Sequence, residues 1–156
     1  MIVYPVVEVA ATMNRDIYDA FCRLIPLLSS NAQIPSYEDL EAIIVCPTTH
    51  LFLAREKGSR QIIGSLTLVL FRIPTGVRAW IEDVVVDAEF RGAGVGKALC
   101  HAAIALAKET KARTIDLTSN PSREAANRLY KSLGFTARDT NVYRFNVTPQ
   151  NDPSQI

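Results

Sequence analysis

Two adjacent carboxylates, Glu82 and Asp83, interrupt an apolar run at residues 80–86 (WIEDVVV). The β-branched residues of this run predict a buried strand, in which a charged group is costly unless it is paired or functional. One interpretation is a structural acid that pairs with Arg72 or Arg78, and the other is a general base that takes a proton in a reaction. Because neighbouring side chains on a regular strand point to opposite faces, both carboxylates could reach one cleft only across a bulge.

A glycine-rich segment, residues 91–97 (RGAGVGK), lies between that strand and a helical pattern. Glycines let a backbone approach a ligand closely, and the free N–H groups at a helix start favour a phosphate, although such turns also form for steric reasons alone. Two known nucleotide loops do not fit this spacing. A P-loop would need Ser or Thr where the chain has Ala98, and a dinucleotide fingerprint would need glycine at Lys97.

Tyr130, the histidines and the cysteines have ordinary structural interpretations. Tyr130 lies on an apolar stripe at helical spacing, which predicts a packing aromatic. The three cysteines and two histidines do not repeat at zinc-ligand spacing, so we expect no metal site. Cys100 and His101 are adjacent in a helical pattern and cannot face each other, which argues against a cysteine nucleophile.

Two motifs resemble those of one known family. The first is Arg-x-x-Gly-x-Gly, at Arg91, Gly94 and Gly96, and the second is Ala-x-x-Leu-Tyr-x-x-x-Gly-Phe, at residues 126–135. With these motifs the chain resembles the GNAT superfamily of acyl-CoA-dependent N-acyltransferases. The resemblance implies an α/β fold whose mixed, mostly antiparallel central sheet is splayed between two central strands and flanked by about four helices. Residues 81–86 are also similar to glucosamine-phosphate N-acetyltransferases.

The resemblance implies a reaction in which an acetyl group passes directly from acetyl-CoA to a primary amine of a small molecule or peptide. Glu82 would be the general base, with Asp83 as second choice or as a group that orients the amine, and Tyr130 would protonate the departing thiolate. Backbone N–H groups around Val84 would hold the thioester carbonyl. Contacts to acetyl-CoA are expected from Val84, Val85, Val86, Arg91, Gly92, Ala93, Gly94, Val95, Gly96, Lys97, Asn127 and Tyr130.

The sequence does not identify the acceptor. In the resembled architecture, Ile34 in the first interhelical loop would border the acceptor side together with Arg72 and Arg78. Many members carry Asn where this chain has Arg123, so Asn127 is our choice for the cofactor contact on that helix. The alternative function is a non-catalytic acyl-CoA-binding sensor or interaction module. Dimerisation is common in the resembled family, which allows a homodimer.

The composition is that of one ordinary globular domain. The chain has 156 residues, of which 48% are hydrophobic, and 17 basic against 16 acidic side chains leave a net charge of +1. Neither nucleic acid nor an anionic membrane is therefore an expected partner. The odd number of cysteines, and the lack of a basic leader or a membrane-length apolar run, favour a reduced, cytoplasmic protein. We expect one domain over residues 1–147 and a polar, mobile tail over 148–156.

The elements that would position these residues follow from periodicity. Helices are predicted after Asn14, from a cap at Ser36, and at 98–110 and 121–133, the last with a cap at Asn120 and a stop at Gly134. The order of elements indicates a sheet that is antiparallel early and parallel where helices cross over. Strands are predicted at residues 3–9, 50–55, 61–71, 77–86 and 113–118, with one or two more within 135–147.

Overall fold

The structure is a computed structural model that describes residues 4–147. Within this range, the strands form one sheet in their chain order: β1 (Val6–Val9), β2 (Thr49–Arg55), β3 (Ile62–Ile73), β4 (Gly76–Val86) and β5 (Ile115–Asp116). The first four strands pair antiparallel, and β5 pairs parallel with β4. The predicted change from antiparallel to parallel pairing is confirmed. The predicted tail at 148–156 lies outside the described residues.

The α-helices of the described range are α1 (Arg15–Leu28), α2 (Tyr37–Val45), α3 (Val95–Glu109) and α4 (Glu124–Ser132). The Ser36 hydroxyl accepts from the Asp39 N–H at 3.0 Å in a capping box, which confirms the predicted start of α2. Asn120 does not cap α4, because its side-chain oxygen accepts from the Ser122 N–H at 2.9 Å in a separate turn. None of the described helices is long and apolar enough to cross a membrane.

Alternate residues of the central strands pack into two cores, one on each face of the sheet. On β2, Leu51 and Leu53 join the core under α1 and α2, whereas Phe52 and Ala54 join the core under α3 and α4. This is the period of two expected for a strand that is buried on both faces. Both faces are therefore covered, and the strand ends are the places where a site can form.

A β-bulge in β4 reverses this alternation. Glu82 pairs with Thr67 and Val85 pairs with Ser65, so two residues of β4 stand opposite one residue of β3. Ile81, before the bulge, packs in the core under α3, whereas Val85, after it, packs in the core under α1. On a regular strand, residues four apart would share a face. The β-bulge without which Glu82 and Asp83 could not both reach one cleft is thus present.

Strands β4 and β5 separate shortly after they meet. Their ladder consists of two pairs, Ala79 with Ile115 and Trp80 with Asp116, while β4 continues well past this point. β5 is shorter than the predicted strand at 113–118 because its later residues diverge from β4 and have no other paired neighbour among the described residues. The two parallel strands open into a cleft at their carboxyl ends, which is the expected splay of the sheet.

The one or two strands predicted within 135–147 do not form. Residues 136–147 contain no strand or helix. Their apolar side chains are open to solvent, with Tyr143 and Phe145 88% and 89% exposed. A strand is stable only when its backbone groups pair with a neighbour, and within residues 4–147 no strand lies alongside this segment. The prediction of strands here is therefore wrong for the described residues, because the strand-like composition of this segment is not matched by a pairing neighbour.

Candidate active site

A cavity of about 310 Å³ opens at the point where β4 and β5 separate. It is lined by the bulged part of β4, the end of α1 with the loop after it, the residues that follow β5, and α4 with its N-cap. The polar side chains that matter chemically in this lining are Glu82, Asp83, Arg123 and Tyr130.

The bulge brings both candidate carboxylates to this cavity. Asp83 has a φ of +50°, a left-handed conformation within the bulge, and both it and Glu82 line the cavity. Both residues are exposed, so the expectation of buried charges is wrong: the bulge places them at the open cleft. The indole N–H of Trp80 donates to Oε1 of Glu82 at 2.7 Å and fixes the direction of that carboxylate. Among the described residues, no ion pair joins either acid to Arg72 or Arg78.

Tyr130 both packs in the core and lines the cavity. The residue is 7% exposed, and its ring meets Phe135 edge-on with 5.9 Å between the centroids. Burial raises the pKa of the Tyr130 hydroxyl, the nearby Cys100 raises it further, and the positive charge of Arg123 lowers it. The hydroxyl therefore keeps its proton at neutral pH and can donate it, or a hydrogen bond, to a group in the cavity.

Arg123 is a cavity residue that the sequence interpretation missed. It is the N-cap of α4, and its Nη2 lies 3.5 Å from the carbonyl oxygen of Val84, to which it donates. It brings a positive charge into a lining that also holds Glu82 and Asp83. A signal was available, because position 123 is where the chain departs from the resembled pattern and carries a cation in place of an amide.

Asn127 does not line this cavity. Its side-chain amide donates to the carbonyl of Asn120 at 2.9 Å and ties α4 to the loop that precedes it. The residue lies at a larger hollow of about 930 Å³ beside β5. The structure gives Asn127 an anchoring contact, and the cofactor contact expected of it stays a prediction.

The glycine-rich segment leads into α3 and is a candidate anion site. Gly92 and Gly94 have φ values of +75° and +90°, a region that favours glycine, and Gly94 is the N-cap of α3. No side chain of the described chain caps this helix. The N–H groups of its first turn are therefore available to an anion, and the helix dipole attracts one. Arg91 and Lys97 are exposed at the same turn, and this donor set suits a pyrophosphate.

The valines that follow the bulge connect the two parts of the site. Val84 lies outside the ladder with β3, and Val85 is buried in the core under α1. Val86 is half-buried beside Gly96, since a Cβ on that glycine would lie 3.8 Å from Cγ2 of the valine. The end of β4 and the glycine-rich turn are therefore neighbours, and one extended ligand can touch both.

The residues expected to border the acceptor are not part of the cavity lining. Arg72 and Arg78 lie in the hairpin half of β3 and β4, and Nη2 of Arg78 donates to a threonine hydroxyl of that hairpin at 3.2 Å. Ile34 is 46% exposed, and the residues just before it, Ala32 and Gln33, line the cavity instead. The interhelical loop thus lines this cavity and the arginine pair does not, and an acceptor contact of Arg72, Arg78 and Ile34 stays a prediction.

The cysteines are free thiols that do not line the cavity. Cys100 is buried in α3, and burial raises the pKa of its thiol to about 11. Hydrogen bonds with Thr48 and Thr49 lower the pKa of Cys46 to about 7 at the end of α2. Across residues 4–147, no group of three or more His, Cys, Asp or Glu side chains is placed to hold a metal ion.

Comparison with known proteins shows how far the likeness extends in sequence. The profile of the Acetyltransferase (GNAT) family matches residues 15–135. The chain is 38% identical over 61 residues to an uncharacterized N-acetyltransferase of Methanocaldococcus jannaschii, which covers 39% of this chain and 27% of that protein. It is 37% identical over 94 residues to the glucosamine 6-phosphate N-acetyltransferase of Trypanosoma brucei brucei, which covers 58% of this chain and 60% of that protein. Each match spans less than two thirds of the relative.

The fold is shared with solved structures as well. An aminoglycoside acetyltransferase from an uncultured soil metagenomic sample superposes with a TM-score of 0.79 at 21% identity, covering 94% of this chain and 97% of that one. At this identity the likeness concerns the fold alone. The family profile, in contrast, spans the bulged strand, the glycine-rich turn and α4. The chain therefore belongs to the GNAT family of acetyltransferases.

Proposed function

We propose that this enzyme transfers an acetyl group from acetyl-CoA directly to a primary amine. The observation that carries the proposal is the cleft at the splay, where a bulged strand with two carboxylates and a buried tyrosine share one cavity. The anion site at the start of α3 lies next to the same end of β4. Each of these parts meets one demand of amine acylation.

The amine must lose a proton before it attacks, because most amines are ammonium ions at neutral pH. We assign this deprotonation to Glu82, which lines the cavity and whose carboxylate is held in direction by the indole of Trp80. Asp83, at the same cavity, orients the amine. The nitrogen then forms a bond to the thioester carbonyl carbon, and the carbon–sulfur bond breaks as the thiolate leaves. The second proton that the nitrogen loses as the amide forms balances the proton that the thiolate takes up.

The leaving thiolate requires a proton and a favourable charge. Tyr130 supplies the proton, since burial keeps its hydroxyl protonated at neutral pH by raising its pKa. Arg123 lines the same cavity, and its positive charge favours both the thiolate and the ionised tyrosine. Backbone N–H groups around Val84 stabilise the negative charge that develops on the carbonyl oxygen.

The residues of this chain fit both ends of acetyl-CoA, which supplies the activated acyl group. The first turn of α3, with Arg91 and Lys97 beside it, offers N–H donors and positive charge to the pyrophosphate. The bulged end of β4 offers the cavity to the thioester end. The contact between Gly96 and Val86 joins these two regions into one binding surface.

We propose an amino sugar as the first acceptor to test. Two of the similar proteins are named for the acetylation of glucosamine 6-phosphate and of aminoglycosides. The cavity supports an amine beside Glu82 and Asp83, and an anionic or polar group beside Arg123. A sugar that carries both an amine and a phosphate meets these two requirements.

The test is an acetyl-transfer assay read by mass spectrometry of the product. The amine panel contains glucosamine 6-phosphate, glucosamine, an aminoglycoside, spermidine and a peptide with a free N-terminus. We expect acetylation of at least one amino sugar by the wild type. Glu82→Gln should lower kcat by about 10²- to 10⁴-fold and leave acetyl-CoA binding intact. The matched control is Glu41→Gln, a change on the exposed side of α2 that should keep full activity.

The outcomes separate the enzyme from the non-catalytic alternative. Binding of acetyl-CoA without acetylation of any amine in the panel would support an acyl-CoA-binding module. Full activity of Glu82→Gln would contradict the assigned base and direct attention to Asp83. Acetylation of spermidine or the peptide, with no amino sugar accepted, would leave the reaction in place and overturn the acceptor class.

A further inference from the structure

We propose that Arg23 is a positioning residue for acetyl-CoA binding, which acts through Asp87 to hold the glycine-rich turn in the orientation that a pyrophosphate needs. Arg23 lies on α1 and is not part of the cavity lining. The inference rests on the proposed function, because it concerns the turn assigned there to acetyl-CoA. It adds to that site a residue from the opposite face of the sheet.

The β-bulge turns Asp87 toward α1. Asp87 is the first residue after β4, and Val85, two residues before it, packs in the core under α1. Side chains two apart on a strand share a face, so the Asp87 carboxylate lies on the α1 side as well. On a regular strand Asp87 would share the face of Ile81, which packs under α3. The bulge that brings two carboxylates to the cavity therefore also brings Asp87 within reach of α1.

The guanidinium of Arg23 joins the two strand ends beside the turn. Its Nη2 donates to the carbonyl oxygen of Ile62, the first residue of β3, at 2.8 Å. Its Nε lies 3.7 Å from Oδ2 of Asp87, and the Asp87 N–H donates to the carbonyl of Ile63 at 2.8 Å. Because a guanidinium presents its donors in a rigid plane, two contacts together fix the position of the carboxylate.

Asp87 is the root of the glycine-rich turn. Its carbonyl accepts from the Phe90 N–H at 2.9 Å, and its Oδ1 accepts from the Glu89 N–H at 3.4 Å. The Phe90 carbonyl in turn accepts from the Ala93 N–H at 3.3 Å, and the next residue, Gly94, is the N-cap of α3. Consecutive tight turns thus connect Asp87 to the first turn of α3. The orientation of Asp87 therefore sets the direction in which the N–H donors of the turn point.

The exposure of the two side chains predicts a small effect on stability and a larger one on affinity. The side chain of Asp87 is 17% exposed but that of Arg23 is 42% exposed, so solvent screens their ion pair and the pair adds little to folding. A misaligned donor costs more in binding, because one hydrogen bond to a charged group is worth about tenfold in affinity.

Arg55 offers a structural comparison within the same chain. Its side chain is 12% exposed, and it donates to Glu8 at 2.6 Å and to Asp16 at 2.7 Å. These contacts join β1, β2 and α1 and include no residue of the glycine-rich turn. Removal of the Arg55 guanidinium should therefore lower the stability of the domain and leave acetyl-CoA affinity unchanged.

The experiment compares three variants at the contact with two controls. Arg23→Met keeps the aliphatic stem and removes the guanidinium, and Asp87→Asn keeps an oxygen for the Glu89 N–H and removes the charge. The third variant carries both changes. The controls are Arg55→Met and Arg15→Met, since Arg15 is an exposed residue of α1.

Three quantities are measured for each protein. Calorimetry gives the acetyl-CoA Kd, and urea unfolding gives the stability. Hydrogen exchange by mass spectrometry follows residues 88–96 without ligand, so that the order of the turn is read independently of binding and of activity.

We expect Arg23→Met to raise the acetyl-CoA Kd by about 5- to 10-fold and to speed exchange at residues 88–96. The double variant should bind no more weakly than Arg23→Met, because both changes remove one contact. Both controls should keep the wild-type Kd, although Arg55→Met should be the less stable of the two. At saturating acetyl-CoA, Arg23→Met should keep its kcat, since the cavity is unchanged.

Two results would overturn this role alone. One is a wild-type Kd and a wild-type exchange rate in Arg23→Met. The other is an equal loss of affinity in Arg55→Met, because binding would then follow stability in general. A wild type that does not bind acetyl-CoA would overturn the proposed function, and the role of Arg23 with it.

Discussion

Arg123 places a guanidinium at the cavity that also holds the hydroxyl of Tyr130. We expect Arg123→Gln to lower kcat by about 10- to 100-fold, because the leaving thiolate loses a favourable charge, while acetyl-CoA still binds at the glycine-rich turn. Steady-state kinetics and direct binding by calorimetry give the two quantities. Arg128→Gln is the matched control, since Arg128 lies on the same helix with an exposed side chain paired to Glu124. An unchanged kcat with a raised acceptor KM would show that Arg123 only binds the anionic group of the acceptor and does not stabilise the thiolate.

Tyr130 should act as an acid over an unusually wide pH range. Burial raises its pKa above the ordinary value of 10, so the hydroxyl keeps its proton to higher pH than an exposed tyrosine would. We expect the loss of kcat from Tyr130 ionisation to begin at a higher pH than it would for a tyrosine with the ordinary pKa. Tyr130→Phe should lower kcat by about tenfold and keep the packing against Phe135, so that thermal stability changes little. An alkaline fall in kcat that begins near neutrality and vanishes in Tyr130→Phe would contradict this role.

Residue types alone identified part of the site. Glu82 and Asp83 could be selected because charged residues within an apolar run are unusual and chemically useful. The sequence marks Arg123 only as a departure from the resembled pattern, because its approach to Val84 depends on the residue at which α4 begins. Fold analogy predicts that Arg72 and Arg78 border the acceptor side. In the structure both arginines lie in the hairpin half of β3 and β4, and neither lines the cavity.

The bulge in β4 stores backbone strain at Asp83. Its φ of +50° lies where a side chain is disfavoured relative to glycine. Asp83→Gly should therefore be more stable to urea than Asp83→Ala by about 1 kcal/mol, because both lose the carboxylate and only alanine keeps the strained Cβ. Arg60, at φ +65° in an exposed turn, is the control position: its Gly and Ala variants should differ similarly and keep full activity. Equal stabilities of the two Asp83 variants would be incompatible with the bulge geometry.

The elements whose pattern is local were predictable, and those that need a distant partner were not. β2, β3 and β4 follow from runs of alternating or continuous apolar residues, and α2 follows from its capping box. β5 is short because only its first residues pair with β4 before the two strands diverge. Residues 142–147 (VYRFNV) have a strand's composition but pair with no strand in the described part of the chain, and local sequence does not specify such a pairing.

The stability of the whole domain should depend on pH through Cys100. Burial raises the pKa of this thiol from 9.0 to about 11 in the folded state. Below pH 9 both states hold the proton, and between these values the unfolded chain releases a proton that the folded chain keeps, so stability falls as pH rises. Urea unfolding should show a loss of up to about 1.4 kcal/mol per pH unit in this window, and a smaller loss in Cys100→Ala. Cys22→Ala is the control, and equal slopes in the two variants would refute the assignment.

Calorimetric titration of the protein with acetyl-CoA tests the proposed acetyl-CoA site directly. The wild type is compared with Gly94→Trp, which fills the turn at the start of α3, and with Gly58→Trp, a change in an exposed turn where an added Cβ meets nothing within 4 Å. ADP, NAD and ATP with Mg²⁺ serve as competing ligands, and thermal melts confirm that both variants fold. We expect micromolar binding of acetyl-CoA by the wild type and Gly58→Trp, and loss of binding in Gly94→Trp. No binding by the wild type, or preference for another nucleotide, would contradict an acetyl-CoA site at this turn.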